Sequence, residues 1–364
     1  MSELTKGAVE KAIAGYLDPY LQKNLVELGW ISDIKIDQGQ VIVELTYPYP
    51  NQGLQGAIRQ MLSLAVEDID GVTDCTIKID TKVVAQKTAN NIAALAQVKN
   101  IIAVASGKGG VGKSTVSVNL ALSLAEEGAK AGVLDADIYG PSIGMMLGVK
   151  EGIRPDVVNE KLFVPVVAHG LQTMTMAYLV TDETPMVWRG PMVSGALQQL
   201  LKQTHWQQLD YLIVDMPPGT GDIQLTLAQK VPVTGAVMVT TPQDIALLDC
   251  KKGIEMFRKV NIPVLGIVEN MSTYCCPNCG HQEPVFGEGG GERIAAQYNT
   301  DLIGQLPLNR TIREQTDSGN PTVISAPDSE IALIYRDMAR KVTAELAARV
   351  AEDALATPDI IIRS

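Results

Sequence analysis

Basic residues are in short supply in this chain: 30 lysines and arginines stand against 41 aspartates and glutamates, for a formal net charge of −11. Neutralising a phosphate backbone takes clustered cations, so this balance argues against sequence-independent binding to nucleic acid. It argues equally against an anionic membrane as partner. No apolar run reaches the roughly 18 residues that would mark a membrane span. The opening Met1-Ser2-Glu3-Leu4-Thr5-Lys6 lacks the basic start and apolar core of a secretory signal. A helix predicted from Ile331 to Ala356 carries Glu345, Glu352 and Asp353 among its basic residues, which makes it a poor basic anchor. The expectation is a soluble, cytoplasmic protein without nucleic-acid or membrane partners. Histidine is scarce as well, and His169 and His205 have no ligand-spaced partner. The five cysteines, Cys75, Cys250, Cys275, Cys276 and Cys279, are too few and too clustered for a disulfide framework. A tight cysteine cluster in a reducing compartment points instead to a metal or redox site.

A hydrophobic fraction of 46% and a charged fraction of 20% describe an ordinary globular chain, and 364 residues leave room for two domains. Residues 1–80 read as a small α+β domain. A helix is predicted from Lys6 to Ala14, a hairpin about Asp37-Gln38-Gly39-Gln40, a helix from Gln55 to Asp68 and a strand from Cys75 to Ile79. Residues 81–98, rich in Ala, Lys, Gln and Asn, read as a linker. From residue 99 to about 350 strands alternate with helices, the pattern of a mostly parallel sheet covered by helices on both faces. Strands are expected at Ile101–Ala105, Gly132–Leu134, Leu212–Val214, Ala236–Thr240, Val264–Val268 and Leu302–Ile303, and residues 351–364 form a tail. The methionines, Met145, Met146, Met174 and Met176 among them, are assigned to core packing.

Residues 107–114, Gly-Lys-Gly-Gly-Val-Gly-Lys-Ser, fit G-x-x-x-x-G-K-[ST], the phosphate-binding loop. Backbone N–H groups of such a loop wrap the phosphates and its lysine reaches the terminal ones. The strand before it and the helix from Ser114 after it aim a helix N-terminus at the anion. Gly107, Lys108, Gly109, Gly110, Val111, Gly112, Lys113, Ser114 and Thr115 are therefore the nucleotide-binding residues, and this α/β unit is a P-loop NTPase. Asp215 ends an apolar strand, where an acid can hold Mg²⁺ through water while Ser114 ligates it directly. Asp135 and Asp137 follow another strand, so both carboxylates could face the phosphates, or simply cap a loop. Pro217-Pro218-Gly219-Thr220-Gly221-Asp222 is a stiff turn, and Asn270 is an amide at a strand end. The chemistry such parts support is phosphoryl transfer to water, with no covalent nucleophile.

Cys276 and Cys279 form a C-x-x-C pair, with Pro277 and Gly280 shaping a tight turn. A structural zinc site needs a second such knuckle about 15–20 residues away, and none is present. Two copies meeting on a twofold axis would supply four thiolates, suited to zinc or to an iron–sulfur cluster. A redox disulfide within one chain is the further alternative.

The run Lys108–Ser114 resembles the deviant Walker A sequence of the MinD, ParA and nitrogenase-iron-protein group. The resemblance implies an ATP-bound homodimer in which Lys108 reaches the partner copy's phosphates, joining Lys113 in catalysis. It makes Val133–Ser142 a switch I segment, with Asp137 orienting the attacking water and Asp135 nearer the magnesium. It makes Pro217–Asp222 switch II, with Asp222 a second water-positioning acid, and has Asn270 read adenine. With Glu269-Asn270-Met271-Ser272, Cys276-Pro277-Asn278-Cys279-Gly280 and Phe286-Gly287-Glu288-Gly289-Gly290-Gly291-Glu292 added, the chain resembles the Mrp/ApbC family of iron–sulfur cluster carrier ATPases. That resemblance implies a [4Fe–4S] cluster bridging the dimer through Cys276 and Cys279, with a cluster-assembly scaffold and apo iron–sulfur proteins as partners. Residues 1–80 resemble the SufT-type iron–sulfur-assembly domain, but no cysteine follows the strand ending Thr46-Tyr47-Pro48-Tyr49-Pro50. A docking or regulatory role is expected of it. Two rivals remain: a positioning ATPase of the MinD/ParA type, and a nucleotide-binding protein stapled by zinc.

Overall fold

A computed structural model of the chain describes residues 4–86, 95–179, 190–276 and 278–356. Residues 87–94 of the expected linker and residues 357–364 of the expected tail lie outside the described residues. The chain divides into two compact units.

The smaller unit opens with α1 (Lys6–Ile13), capped by Thr5, whose side chain accepts from Ala8 N at 3.2 Å. Strands β1 (Ile31–Asp37) and β2 (Gln40–Tyr47) form the expected antiparallel hairpin. Gln38 and Gly39 both have positive φ, the backbone that a two-residue hairpin turn requires. Helix α2 (Gln55–Glu67) buries Ile58, Leu62 and Val66, one face at four-residue spacing. It leads to β3 (Asp74–Thr81), parallel to β2. Trp30, Tyr47 and Tyr49 pack in the core with their rings tilted or edge-on to one another. Beside them the buried Asp18 accepts from Tyr49 OH at 2.6 Å and from Leu21 N at 2.9 Å. Cys75 is buried in the same core, as a small hydrophobe.

The larger unit is a nine-stranded sheet. Its chain runs through β4 (Val98–Ala105), α3 (Lys113–Glu126), β5 (Ala131–Asp135), α4 (Ile143–Met146) and four short strands, β6 (Val157–Val158), β7 (Leu162–Phe163), β8 (Val166–Ala168) and β9 (Leu171–Thr175). It continues with α5 (Gly190–Gln203), β10 (Leu209–Asp215), α6 (Asp222–Lys230), β11 (Gly235–Thr240), α7 (Asp244–Lys259), β12 (Val264–Cys275) and β13 (Gln282–Glu283). Last come α8 (Gly290–Tyr298), β14 (Leu302–Leu308), α9 (Arg310–Asp317), α10 (Thr322–Ser325) and α11 (Glu330–Ala356). Strand order is β13-β12-β11-β4-β10-β5-β9-β8, with β14 also on β12. Within this sheet all pairings are parallel except β8 with β9 and β13 with β12, and β6 and β7 pair antiparallel as a separate two-stranded sheet. Every residue of β5 and β11 is buried. Successive side chains leave a strand on opposite sides, so both faces of the sheet are covered.

Three features depart from the sequence expectations. Strand β12 does not stop at Val268 but runs to Cys275, because β14 and β13 continue its pairing. Residues 157–175 contribute β6 to β9, too short and too half-polar to show a period in sequence. Met145 is not a core residue: it is 59% exposed, whereas Met174 and Met176 are buried as expected. The short helix α4 turns Met145 outward while burying Ile143 and Gly144. The smaller unit takes in, besides the described chain to Val84, Glu126–Gly128 and the described residues from Thr343 to Ala356.

Candidate functional site

The loop between β4 and α3 sits at the carboxyl ends of the central parallel strands, where open α/β sheets bind ligands. Gly110 and Gly112 take φ of 82° and 83°, so the loop can turn its amides inward. Gly107 is needed for a different reason: a Cβ there would overlap the backbone carbonyl of Asp249 on α7. The loop walls a cavity of about 210 Å³ together with Ser106, Lys113, Ser114, Thr115, Asp137, Met146 and Pro218.

Beneath it Asp215 is fully buried at the end of β10. Its Oδ2 meets Lys113 Nζ at 2.7 Å and accepts from Ser114 Oγ at 2.7 Å, and its Oδ1 accepts from Ser117 Oγ at 2.6 Å. Carboxylate and hydroxyl oxygens converging in this way suit a hard, oxygen-seeking cation such as Mg²⁺. Ser117, one turn after Ser114 on the same face of α3, was not singled out in the sequence. Its spacing from Ser114 was the available signal.

Asp135 is almost completely buried at the end of β5. Its oxygens accept from the backbone N–H groups of Asp137 (3.0 Å), Ser142 (2.9 Å) and Ile143 (3.2 Å), which makes it the brace of the segment that follows β5. Burial, reinforced by the charge of Asp215, pushes its carboxyl up to about 7 against the pull of those amides. Asp137 is half-buried and borders the cavity, with Oδ1 accepting from Gly140 N at 3.3 Å. Asp222 is exposed at the first position of α6 and is not among the cavity's walls. The turn before it is tied back by Gly219 N donating to Ser106 O at 2.9 Å and by Gln224 Nε2 donating to Pro218 O.

Lys108 Nζ donates to Gln243 Oε1 at 3.2 Å, just before α7, while Ser106 Oγ holds the Lys108 carbonyl at 2.9 Å. Gln243 too escaped notice in the sequence, because it lies 135 residues from Lys108. Asn270 on β12 donates from Nδ2 to the Val111 carbonyl at 2.9 Å and accepts at Oδ1 from Met271 N at 3.0 Å. Its amide therefore braces the phosphate loop from below. Glu269 before it is buried, accepting from Gly291 N at the start of α8 and from Gln305 Nε2 at 3.1 Å. That contact explains Gly291, the last glycine of the run: a Cβ there would press against Glu269 and Leu302.

Cys276 and Cys279 lie in the turn between β12 and β13, where Tyr274 pairs with Glu283 and Cys275 with Gln282. Cys276 N donates to His281 O at 2.9 Å and Gly280 N to Cys276 O at 2.9 Å, with Gly280 at φ 71° closing the turn. The N–H groups of Asn278 and Cys279, with the Cys279 side chain, hold the Cys276 thiol below its ordinary range. Cys279 is exposed. Cys275 is exposed as well and donates to the Gly280 carbonyl instead. Among the described residues no group of three or more His, Cys, Asp or Glu side chains gathers as a metal site. Among the described residues, one chain thus offers two thiols at the tip of a hairpin, with no third ligand gathered beside them. No helix of the described residues is long and apolar enough to cross a membrane.

Residues 97–343 match the ParA family described as NUBPL iron-transfer P-loop NTPase, and residues 6–79 match the iron-sulfur cluster assembly protein family. An iron-sulfur cluster carrier protein of Escherichia coli (strain K12) is 52% identical over 344 residues, covering 94% of this chain and 93% of that protein. One from Pseudomonas fragi is 62% identical over 279 residues, covering 77% of this chain and 97% of that protein. Among solved structures, a nucleotide-binding protein in complex with ADP from Archaeoglobus fulgidus is similar at a TM-score of 0.57 and 36% identity, covering 64% of this chain and 90% of that one.

Proposed function

The chain belongs to the NUBPL iron-transfer P-loop NTPase family, and from that premise we propose that it is an ATP-hydrolysing, homodimeric carrier of iron–sulfur clusters. One observation carries the reading: a two-thiol hairpin continues the very strand that braces the phosphate loop, and among the described residues no third ligand gathers with it. A [4Fe–4S] cluster takes four thiolates, and a second copy supplies the missing two. A cluster held at a shared, exposed turn is cargo, accessible both to an assembly scaffold and to the thiolates of apo iron–sulfur proteins.

ATP is placed by the loop amides, with Lys113 leaving Asp215 for the terminal phosphates. Ser114 would hold Mg²⁺ directly and Asp215 would hold it through water. Bound there, the ion neutralises charge developing on the phosphates. Asp137, bordering the cavity, orients the attacking water, and Asp222 is a second acid that approaches when switch II moves. Lys108 exchanges Gln243 for the phosphates of the partner copy, in the manner of an arginine finger. Asn270 reads the adenine edge. The small unit, lacking a cysteine after β2, docks partners or regulates. The protein works in the cytoplasm without nucleic acid or membrane.

Anaerobic reconstitution with iron and sulfide tests this reading on the wild type beside Cys276→Ser and Cys279→Ser. About four irons and four sulfides per dimer are expected, lost in either variant. Zinc without sulfide would overturn it.

A further inference from the structure

Strand β12 carries both halves of that function, and few residues separate them. Asn270 is largely buried, with Nδ2 on the Val111 carbonyl of the phosphate loop at 2.9 Å. Gly112 admits the amide, since a Cβ there would overlap Asn270 Nδ2. Farther along the strand, Cys275 pairs with Gln282, and Cys276 opens the turn that holds both thiols. Between the two stands a joint. Met271 takes φ of 57°, a left-handed backbone unusual for a residue with a long side chain. The register of β12 on β14 slips between Asn270 and Tyr274, and Ser272 Oγ pins the slipped segment to the Leu306 carbonyl at 3.1 Å. A bulge re-aims the strand that follows it, and a strained residue persists only while its surroundings over-determine it. Here the over-determining contact on one side is the Asn270 amide, whose Oδ1 also accepts from Met271 N at 3.0 Å.

We propose that Asn270 is a positioning residue that couples the phosphate loop to the thiol pair through the bulge at Met271. A purine edge or a loop movement that takes the amide from Val111 O re-sets the bulge, and with it the hairpin bearing Cys276 and Cys279. The coupling rests on the carrier reading for its purpose, but its physics does not need a cluster. It is a linkage between two binding equilibria and is therefore reciprocal: whatever factor nucleotide imposes on ligand affinity at the thiols, a ligand on the thiols imposes on nucleotide affinity.

The test uses the full chain, reduced and metal-free, with Mg²⁺ and a non-hydrolysable ATP analogue. The rate of iodoacetamide modification at Cys276 and Cys279, read peptide by peptide, should change with saturating nucleotide by roughly fivefold or more. Asn270→Asp keeps the acceptor for Met271 N and loses the donor to Val111 O; with its own nucleotide Kd measured first and nucleotide raised to saturation for the variant, its ratio should fall to about one. Met271→Gly accepts the same φ without strain, and should diminish the ratio with nucleotide affinity unchanged. In the wild type, Zn²⁺ on the thiols should shift the nucleotide Kd by the factor by which nucleotide shifts the Zn²⁺ Kd, and in Asn270→Asp and Met271→Gly that factor should fall toward one, a loss that a merely structural asparagine would not produce. Modification rates indifferent to nucleotide in the wild type, or an undiminished ratio in Asn270→Asp, would overturn the proposal. If Asn270→Asp does not fold, Met271→Gly and the reciprocal Zn²⁺ titration decide. Failure to assemble a cluster sinks the carrier reading alone, because none of these measurements requires one.

Discussion

Replacing Ser117 with alanine isolates the interaction that keeps the acid beneath the phosphate loop in place. Asp215 is fully buried and has three partners, at 2.7, 2.7 and 2.6 Å: Lys113, Ser114 and Ser117. The first two are drawn toward phosphate and metal in the proposed cycle, which leaves Ser117 as the partner that stays. Deleting its hydroxyl strands one oxygen of a buried carboxylate, at a cost of about 1.5–3 kcal/mol for a hydrogen bond to a charged group. In a domain of this size each kcal/mol moves the midpoint by about 2–4 °C, so Ser117→Ala should lower Tm by about 3–12 °C. Differential scanning calorimetry in nucleotide-free buffer with chelator measures it. In an Asp215→Ala background the acceptor is gone, and the same substitution should cost less than about 0.5 kcal/mol. An unchanged Tm, or an equal loss in both backgrounds, would refute the reasoning.

Gly107→Ala drives a Cβ into the backbone of Asp249, which cannot rotate away, and should weaken ATP binding at least roughly tenfold by calorimetric titration. Asp135 has a folded-state pKa raised from 3.8 to about 7, so within that window the folded chain binds more protons than the unfolded one and stability falls as pH rises. Thermal denaturation across that window in chelator should show a downward slope for the wild type that Asp135→Asn flattens; parallel slopes would disprove it. Burial pushes the Cys250 thiol up to about 12, so iodoacetamide near neutral pH should label Cys276 and Cys279 and reach Cys250 only after denaturant is added. Tyr49→Phe removes the 2.6 Å bond to buried Asp18 and should cost about 1.5–3 kcal/mol in urea unfolding.

What the sequence determined by itself was whatever a short stretch of chain settles locally. The glycine-rich run at 107–112 announced a phosphate loop, in which Gly110 and Gly112 take positive φ, and Gln38-Gly39 announced a hairpin turn, because backbone sterics act within a residue or two. Strand and helix positions followed from side-chain periodicity, and the helix from Gln55 emerged within a residue of its expected end. The cysteines at 276 and 279 were legible as a pair because their spacing alone lets two sulfurs converge in a turn. Only the tertiary structure decided which distant groups meet. Ser117 and Asp215 are 98 residues apart, Lys108 and Gln243 are 135 apart, and Asn270 lies 159 residues from the Val111 carbonyl it holds. The lengthening of β12 to Cys275 depends on β13 and β14 arriving beside it, and the exposure of Met145 on how the short helix α4 is seated. Such pairings come from the order of strands in the sheet, a property of the whole chain that no local preference encodes.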